Sequence, residues 1–198
     1  VKKFSLLSLA LLFIIGTYWM MRILKDSLFV TIGFPESLGW LPNQGTLFLK
    51  WAKTGSVFVV IAMVLIYSKL VDLFKKHQLF YIYCTIYGFI FSAVAGLLFV
   101  RHYWGDAALG KWVLAATAWT FYFAIESFGS IVVALFWSFV ASITTSESAK
   151  KGYPLIIAGA QIGSITGSGL NTLASKVGTL WPYFLLAAVS MVVIMAII

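Results

Sequence analysis

The feature that most constrains this chain is a series of six long apolar runs separated by short polar segments. A helix needs about 20 mostly apolar residues to cross the hydrocarbon core of a bilayer. Each run is close to that length or longer. The sequence therefore predicts an all-α membrane protein, a six-helix transmembrane bundle formed by residues 1–198. The expected spans are 5–32, 46–71, 79–100, 111–145, 154–174 and 181–198.

The composition excludes several other classes of protein. Hydrophobic residues make up 62% of the chain and charged residues 10%, and the mean hydropathy is +0.99. A soluble domain carries about 25% charged residues, so a soluble globular domain and a disordered tail are both excluded. The first run is too long for the core of a signal peptide and lacks a small-residue cleavage site. A single cysteine, Cys84, excludes an internal disulfide.

The fourth run, 111–145, is compatible with one long helix or with two short helices broken near 127–130. Basic residues in the connecting segments favour one helix, because cytoplasmic loops of membrane proteins carry excess Lys and Arg. With one helix and a cytoplasmic N-terminus, seven basic residues lie inside and three outside; with two helices the split is six to four. The inner set is Lys2, Lys3, Lys69, Lys75, Lys76, Lys150 and Lys151, and the outer set is Arg101, Lys111 and Lys176.

The same rule accounts for most of the net charge of +8, so the basic excess does not indicate a nucleic-acid partner. Four basic residues remain, all inside or at the edge of apolar runs: Arg22, Lys25, Lys50 and Lys53. Arg22 and Lys25 share a helix face with Asp26. Charges inside a membrane are costly and usually face a water-filled pathway. The alternative is that these long side chains extend to the membrane surface.

Glu126 is the only acidic residue deep in an apolar run. A buried carboxylate needs a partner or becomes neutral, so three roles are open: a structural ion pair, a gating ion pair, or a proton carrier. Tyr122 precedes it by one helical turn and Gly129 follows it by three residues, which predicts that this helix face lines a cavity.

The fifth run carries Gly159, Gly163 and Gly167 at four-residue spacing. Small residues at this spacing let two membrane helices approach closely, so we expect a packing surface here. No phosphate-binding loop, metal-spaced His or Cys set, or Ser-His-Asp arrangement occurs in the sequence. The chain is therefore predicted to be no enzyme and to use no metal and no cofactor. Because the last run is still apolar at Ile198, a further segment is expected to follow.

Several segments, taken together and in order, resemble the ATP/ADP translocase family, the NTT-type nucleotide transporters of obligate intracellular bacteria and plastids. They cover about residues 3–165. The segments are 22–29, 48–51, 66–70, 76–81, 125–130, 135–139 and 143–154.

The resemblance implies a transporter of twelve helices with a major-facilitator-like architecture, of which this chain is the N-terminal half. The missing C-terminal six-helix half, the lipid bilayer and a nucleotide substrate are then its partners, and the bacterial inner membrane is its location. Family members exchange ATP for ADP, and some import other nucleotides or NAD, in some cases with protons. The resemblance also implies that transport needs Lys25 and Glu126, and that Arg22 and Lys50 occupy basic positions of the family pattern.

The chain departs from the family pattern at several positions. Ile23 and Leu24 stand where an acidic residue and a threonine are usual, and Phe128 stands where a tryptophan is usual. Residues 138–141 read Ser-Phe-Val-Ala where the family has Gly-Phe-Ala-Asn. These departures lie near the expected site and bear on which phosphorylated substrate it takes.

The resulting hypothesis is a transport site for an anionic nucleotide. The phosphates would bind Arg22, Lys25, Lys50 and Lys53, and Asp26 and Glu126 would form gating ion pairs when the site is empty. Tyr18, Trp19 or Tyr122 would stack on the base. The alternatives are a transporter of another phosphorylated or organic anion, a non-transporting membrane subunit, and a lipid-handling enzyme.

Overall fold

Six long helices account for most of the chain in the computed structural model. The structure describes residues 2–198, and their side chains apart from those of residues 175–177. The connections between helices are short. The helices are α1 (Lys2–Ser27), α2 (Gln44–Leu73), α3 (Lys76–Trp104), α4 (Lys111–Ile143), α5 (Ser146–Val177) and α6 (Trp181–Ile197). The predicted fold class, an all-helical six-helix bundle, is confirmed.

Three short elements accompany these helices. A π-helical turn, Leu28–Ile32, continues α1 directly, and 3₁₀ turns lie at Glu36–Leu38 and Asp106–Ala108 in the connections. The fourth apolar run forms one continuous helix, α4, which ends at Ile143 rather than at residue 145. α5 begins at Ser146 rather than at residue 154. The residues before 154 are polar but compatible with a helix, so the helix extends beyond the apolar run that predicted it.

Among the residues that the structure describes, four helical segments are long and apolar enough to cross a membrane by length and composition: Lys2–Leu38, Gln44–Leu73, Lys76–Trp104 and Lys111–Ile143. α6 is apolar but has 17 residues. α5 has 32 residues, but polar and charged side chains occupy its first two turns. Six membrane spans thus stay a prediction.

α4 lies at the centre of the bundle. It packs against α1, α2 and α3, while α1 also packs against α5 and α6, and α3 packs against α6. Large aromatic side chains fill the space around α4. The fully buried aromatic residues are Phe29, Phe80, Phe91, Phe121, Tyr122, Phe128, Phe136 and Phe184.

The glycines of the fifth run form a close interface with α1, as predicted. A Cβ atom at any of the three positions would collide with α1, in two cases with main-chain atoms alone. The two helices run parallel, and their main chains come into direct contact. We call this the glycine interface: Gly159, Gly163 and Gly167 lie against Ser8, Leu12 and Gly16, respectively.

Two lysines at one end of the bundle bind main-chain carbonyl groups in the C-terminal part of α4. The Lys3 Nζ atom donates a hydrogen bond to the Ile143 carbonyl, and the Lys76 Nζ atom donates one of 3.1 Å to the Ser138 carbonyl. The N-terminal ends of α1 and α3 therefore lie beside the C-terminal part of α4. Of the three basic residues expected at the opposite end, Lys176 has a side chain outside the described residues.

Candidate functional site

The centre of the candidate site is an ion pair between α1 and α4. The Lys25 Nζ atom donates a hydrogen bond to Glu126 Oε1. The Lys25 side chain is 8% exposed and the Glu126 side chain 29% exposed. Lys25 Nζ also lies 4.3 Å from the ring centroid of Tyr122, one turn before Glu126 on α4. The buried ammonium group is thus held by one carboxylate and one aromatic face.

A second ion pair joins α1 to α2. The Lys53 Nζ atom lies 3.0 Å from Asp26 Oδ2, and Lys25 Nζ lies 4.0 Å from Asp26 Oδ1. Cations and carboxylates therefore alternate across three helices, in the order Lys53, Asp26, Lys25 and Glu126. We call these four residues the charged cluster. Its formal charges cancel, so as it stands it offers no net positive charge to an anion.

The other two predicted cations lie beside this cluster and are exposed. Arg22 donates a hydrogen bond of 2.8 Å from its Nη1 atom to the Tyr18 hydroxyl oxygen. The Arg22 guanidinium carbon lies 5.4 Å from the ring centroid of Trp19. Lys50 makes no ion pair with any residue that the structure describes. The positive charge available to an anion is therefore on Arg22 and Lys50.

The two tyrosines for which stacking on a base was predicted differ in their exposure. Tyr122 is 1% exposed and packs against Phe29 as well as Lys25, so its faces are covered. Tyr18 is half-buried and Trp19 is 37% exposed, which leaves these two residues with accessible aromatic surface.

The space beside Gly129 differs from what the sequence indicated. This face of α4 was expected to line a cavity, but the ring of Tyr18 lies against Gly129 and occupies the place where a side chain would be. Sequence reasoning noted the glycine and missed its partner. The glycine itself could have predicted this contact. A residue without a side chain, on the same helix face as Glu126, leaves room for a large side chain of a neighbouring helix.

A separate polar cavity lies at the end of the bundle where α6 begins. Its volume is about 410 Å³, and its lining includes Arg101, Asp106 and Trp181 but none of the predicted site residues. Arg101 Nε lies 2.5 Å from Asp106 Oδ1, so the two charges of this cavity already neutralise each other. Within the described residues, no group of three or more His, Cys, Asp or Glu side chains is placed to hold a metal ion.

Comparison with known proteins gives consistent matches. The chain is 31% identical over 176 residues to ADP,ATP carrier protein 4 of Rickettsia prowazekii, covering 78% of this chain and 32% of the relative. It is 32% identical over 182 residues to the chloroplastic ADP,ATP carrier protein 2 of Arabidopsis thaliana, covering 83% of this chain and 28% of the relative. The chain thus spans about a third of the length of these relatives. No solved structure matches it.

The match to a family as a whole is more extensive than the match to any of these relatives. The sequence profile described as TLC ATP/ADP transporter matches residues 1–198, the whole of the chain. This agrees with the resemblance drawn from the ordered motifs, which covered about residues 3–165. The chain therefore belongs to the TLC ATP/ADP transporter family.

Proposed function

We propose that this chain is the N-terminal half of a secondary transporter that exchanges or imports nucleotides of the ATP/ADP type by alternating access. The observation that carries the proposal is the buried ion pair between Lys25 and Glu126, which joins α1 to α4. Family membership and relatives named as ADP,ATP carriers support it.

The physical role of the ion pair follows from its burial. Lys25 needs a counter-ion because its side chain is shielded from water. A phosphate group of the substrate is such a counter-ion, with more charge and more acceptor atoms than a carboxylate. When phosphate binds Lys25, Glu126 loses its partner, and its 29% exposed side chain is able to gain water instead. Binding would then replace an interhelical contact by a contact with the substrate.

The ion pair between Lys53 and Asp26 would be opened by phosphate in the same way. Lys53 and Asp26 are 55% and 40% exposed, so their interaction is weaker and more easily replaced by a phosphate contact. Arg22 and Lys50 add two cations that no carboxylate of the cluster neutralises. The site thus contains two cations that have no carboxylate partner, Arg22 and Lys50. Lys25 and Lys53 become available when their carboxylate partners are displaced.

Release of these ion pairs would loosen α1 from α4 and α2. We propose that this change accompanies rocking of the six helices against a second six-helix half. The known relatives are about three times as long as the matched region, which leaves room for such a half.

Uptake of labelled ATP by cells that produce the full-length protein tests the proposal. Lys25→Gln removes one charge and keeps most of the side-chain volume. One lost charged contact costs about 1.5–3 kcal/mol, so apparent affinity should fall about ten- to a hundredfold. Glu126→Gln should instead slow turnover more than it weakens binding, because it removes the group that competes with phosphate. Lys69→Gln, at an exposed lysine at the C-terminal end of α2, is the matched control.

Three outcomes would contradict the proposal in different ways. If Lys25→Gln and Glu126→Gln transport like the unaltered protein at limiting ATP and equal abundance, the charged cluster is structural. If another phosphorylated or organic anion is taken up and ATP is not, the transporter has a different substrate. If nothing is transported, the chain is a membrane subunit that acts through packing alone.

We also propose that the protein lies in the bacterial inner membrane with its N-terminus in the cytoplasm. The excess of lysine at the end of the bundle that holds the N-terminus supports this orientation. Single cysteines at Ser37 and Lys150, treated with a membrane-impermeant thiol reagent, should react from opposite sides. Reaction of both from the same side would contradict the orientation.

A further inference from the structure

The C-terminal half of α2 stands apart from the rest of the bundle. The buried residues of this helix are Gly45, Ala52 and Ser56, all in its N-terminal half. From residue 57 to residue 73 no side chain of α2 is buried, and most of the large apolar ones are exposed. A groove therefore remains between this half of α2 and α3, with α4 as its floor.

The groove contains an apolar cavity of about 220 Å³. Val59 and Met63 of α2 line one side of it, and residues of α3 and α4 line the rest. Ile90 and Thr120 also line a second apolar cavity of about 320 Å³ between α3 and α4. The two cavities thus continue into one another along α3 and have the shape and chemistry that a hydrocarbon chain requires. We call the first cavity, between α2, α3 and α4, the side groove.

The side groove does not face the charged cluster. Phe123 and Ser127 of α4 line the groove, whereas the preceding residues, Tyr122 and Glu126, contact Lys25 of α1. Successive residues of a helix are about 100° apart around its axis. A second six-helix half that completes the transport site is expected on the side of the charged cluster, so the side groove is left to the surrounding lipid.

One hydroxyl group beside the side groove lacks a partner. Tyr83 lines the groove and is 4% exposed, and its hydroxyl makes no hydrogen bond to any residue that the structure describes. The hydroxyl of Tyr87, one turn further on, is satisfied, because it lies 2.9 Å from Ser127 Oγ. A buried hydroxyl without a partner is unfavourable. An ester carbonyl group of a phospholipid would satisfy it after a small movement of the Tyr83 side chain toward the groove.

Lysine side chains lie at the end of the side groove nearest Tyr83. Lys76 precedes Tyr83 by seven residues, or two helical turns, and so lies on the same face of α3. Its Nζ atom donates a 3.1 Å hydrogen bond to the Ser138 carbonyl, which leaves two of its three N–H donors. Neither Lys76 nor the exposed Lys75 pairs with a carboxylate that the structure describes. Two lysines against one acidic residue, Asp72, leave this end positively charged.

The dimensions of the groove fit a single phospholipid. Lys76 and Ile90 are 14 residues apart, which is about 21 Å along a helix. Half the thickness of a bilayer, including its headgroups, is about 20–22 Å. Helix side chains lean toward the N-terminus of their helix, so Tyr83 leans toward Lys76. A lipid whose phosphate binds Lys76 would therefore place its ester groups near Tyr83 and its acyl chain along the groove.

We propose that the side groove binds one phospholipid with an anionic headgroup. Lys76 and Lys75 bind the phosphate, Tyr83 donates a hydrogen bond to an ester carbonyl, and an acyl chain fills the cavity. The lipid thereby joins the C-terminal half of α2 to α3. This inference requires that the protein lies in a bilayer, and it does not depend on nucleotide transport.

The test is titration of the purified full-length protein in detergent with phosphatidylglycerol, with bound lipid counted by native mass spectrometry. Phosphatidylcholine with the same acyl chains is the comparison, because it carries a phosphate but no net charge. Phosphatidylglycerol should reach half-saturation at a concentration at least about fivefold lower, and it should raise the thermal midpoint. Inorganic phosphate, which has no acyl chain, should leave the midpoint unchanged.

Variants of the lysines test the headgroup contact. Lys76→Gln should raise the half-saturating concentration of phosphatidylglycerol about fivefold, and Lys76→Arg should restore it. Lys69→Gln is the matched control, since Lys69 is also exposed at this end of the bundle. It follows Tyr67 by two residues, and the Tyr67 ring contacts Tyr83, so Lys69 lies on the opposite side of α2 from the groove.

Variants of the groove test the contacts of the acyl chain and the ester group. Met63→Trp fills the groove and should abolish the rise in midpoint. Val64→Trp is its control, because Val64 is 43% exposed and does not line the groove. Tyr83→Phe removes the unpartnered hydroxyl, so it should weaken lipid binding while the lipid-free protein loses no stability. These variants test the inference even if Lys76→Gln is not recovered.

Several results would overturn the inference. One is equal half-saturation by phosphatidylglycerol and phosphatidylcholine. Another is phosphatidylglycerol binding that neither Lys76→Gln nor Met63→Trp changes. Absence of lipid binding, with a far lower lipid-free midpoint for Met63→Trp than for Val64→Trp, would show that protein covers the groove instead. Loss of nucleotide uptake with lipid binding intact is a different result, since it bears on the proposed function alone.

Discussion

The two ends of α1 make contacts of different kinds. Its first half lies against α5 through the glycine interface, where main chains touch and almost no side chain intervenes. Its second half faces α4 and α2 through the charged cluster, where side chains of opposite charge meet. One helix is thus joined to its neighbours by close packing at one end and by ion pairs at the other.

This difference has a consequence for movement. Within a membrane no hydrophobic force drives helices together, so close packing and polar contacts hold them in place. A close-packed interface has no substitute for its lost contacts when it opens. Under the proposed function an ion pair has such a substitute, because an anion that enters the site would satisfy the cation in place of the carboxylate. We therefore expect α1 and α5 to move as one unit, and the contact of α1 with α4 to change during transport.

The largest expected effect comes from disturbing the close-packed end. Gly163→Leu places a large side chain against the Leu12 carbonyl of α1. Overpacking of this kind costs about 1–3 kcal/mol or more, and a main-chain neighbour is unable to move aside. The thermal midpoint of the purified protein in detergent should fall sharply. Gly169→Leu is the matched control, since a Cβ atom at Gly169 meets nothing within 4 Å. Equal midpoints for the two variants would show that the glycine interface does not hold α1 to α5.

A smaller loss of thermal stability is expected when the Lys25–Glu126 ion pair is broken. The loss should be larger for Glu126→Gln than for Lys25→Gln. Glu126→Gln leaves the 8% exposed Lys25 ammonium with Asp26 at 4.0 Å as its nearest carboxylate. Lys25→Gln leaves Glu126, which is 29% exposed and able to reach water. Loss of the hydrogen-bond partner of the buried ammonium group costs about 1–3 kcal/mol, less than the separation of main chains that Gly163→Leu forces, and loss of the partner of the partly exposed carboxylate costs about 1 kcal/mol.

Thermal midpoints of both single variants and of the double variant check this order. The double variant should resemble Lys25→Gln, because the unpaired ammonium group is absent from both. A lower midpoint for Lys25→Gln than for Glu126→Gln would contradict the burial difference on which the comparison depends.

The smallest loss of thermal stability is expected when the exposed ion pair between Lys53 and Asp26 is broken. Lys53→Gln removes the cation 3.0 Å from Asp26, where both side chains are well exposed. Such pairs contribute about 0–1 kcal/mol and are weakened by salt. The midpoint should change little relative to Lys69→Gln, and the difference should disappear at high salt. A loss as large as that of Glu126→Gln would mean that the four charges act as one unit.

The sequence by itself determined the helices and the chemical character of the site. A chain inside a membrane has to satisfy its own backbone hydrogen bonds, and an α-helix does so within each run. The glycine spacing was enough to predict a packing surface, because small residues four apart lie on one helix face. The ordered motifs were enough to indicate the family, and the cost of intramembrane charge was enough to single out Glu126 and the cations Arg22, Lys25, Lys50 and Lys53 as candidates, whose role in transport stays a prediction.

Only the tertiary structure decided which of these residues meet. Arg22 and Lys25 lie on the same face of α1, and the pattern gave no reason for Glu126 to bind one rather than the other. Lys25 and Glu126 are 101 residues apart in the chain, and their contact depends on which helices are neighbours and how each is rotated. The same packing covers Tyr122 and places Tyr18 against Gly129. Periodicity within one helix specifies a face, whereas the partner of that face is set by how all six helices fill space together.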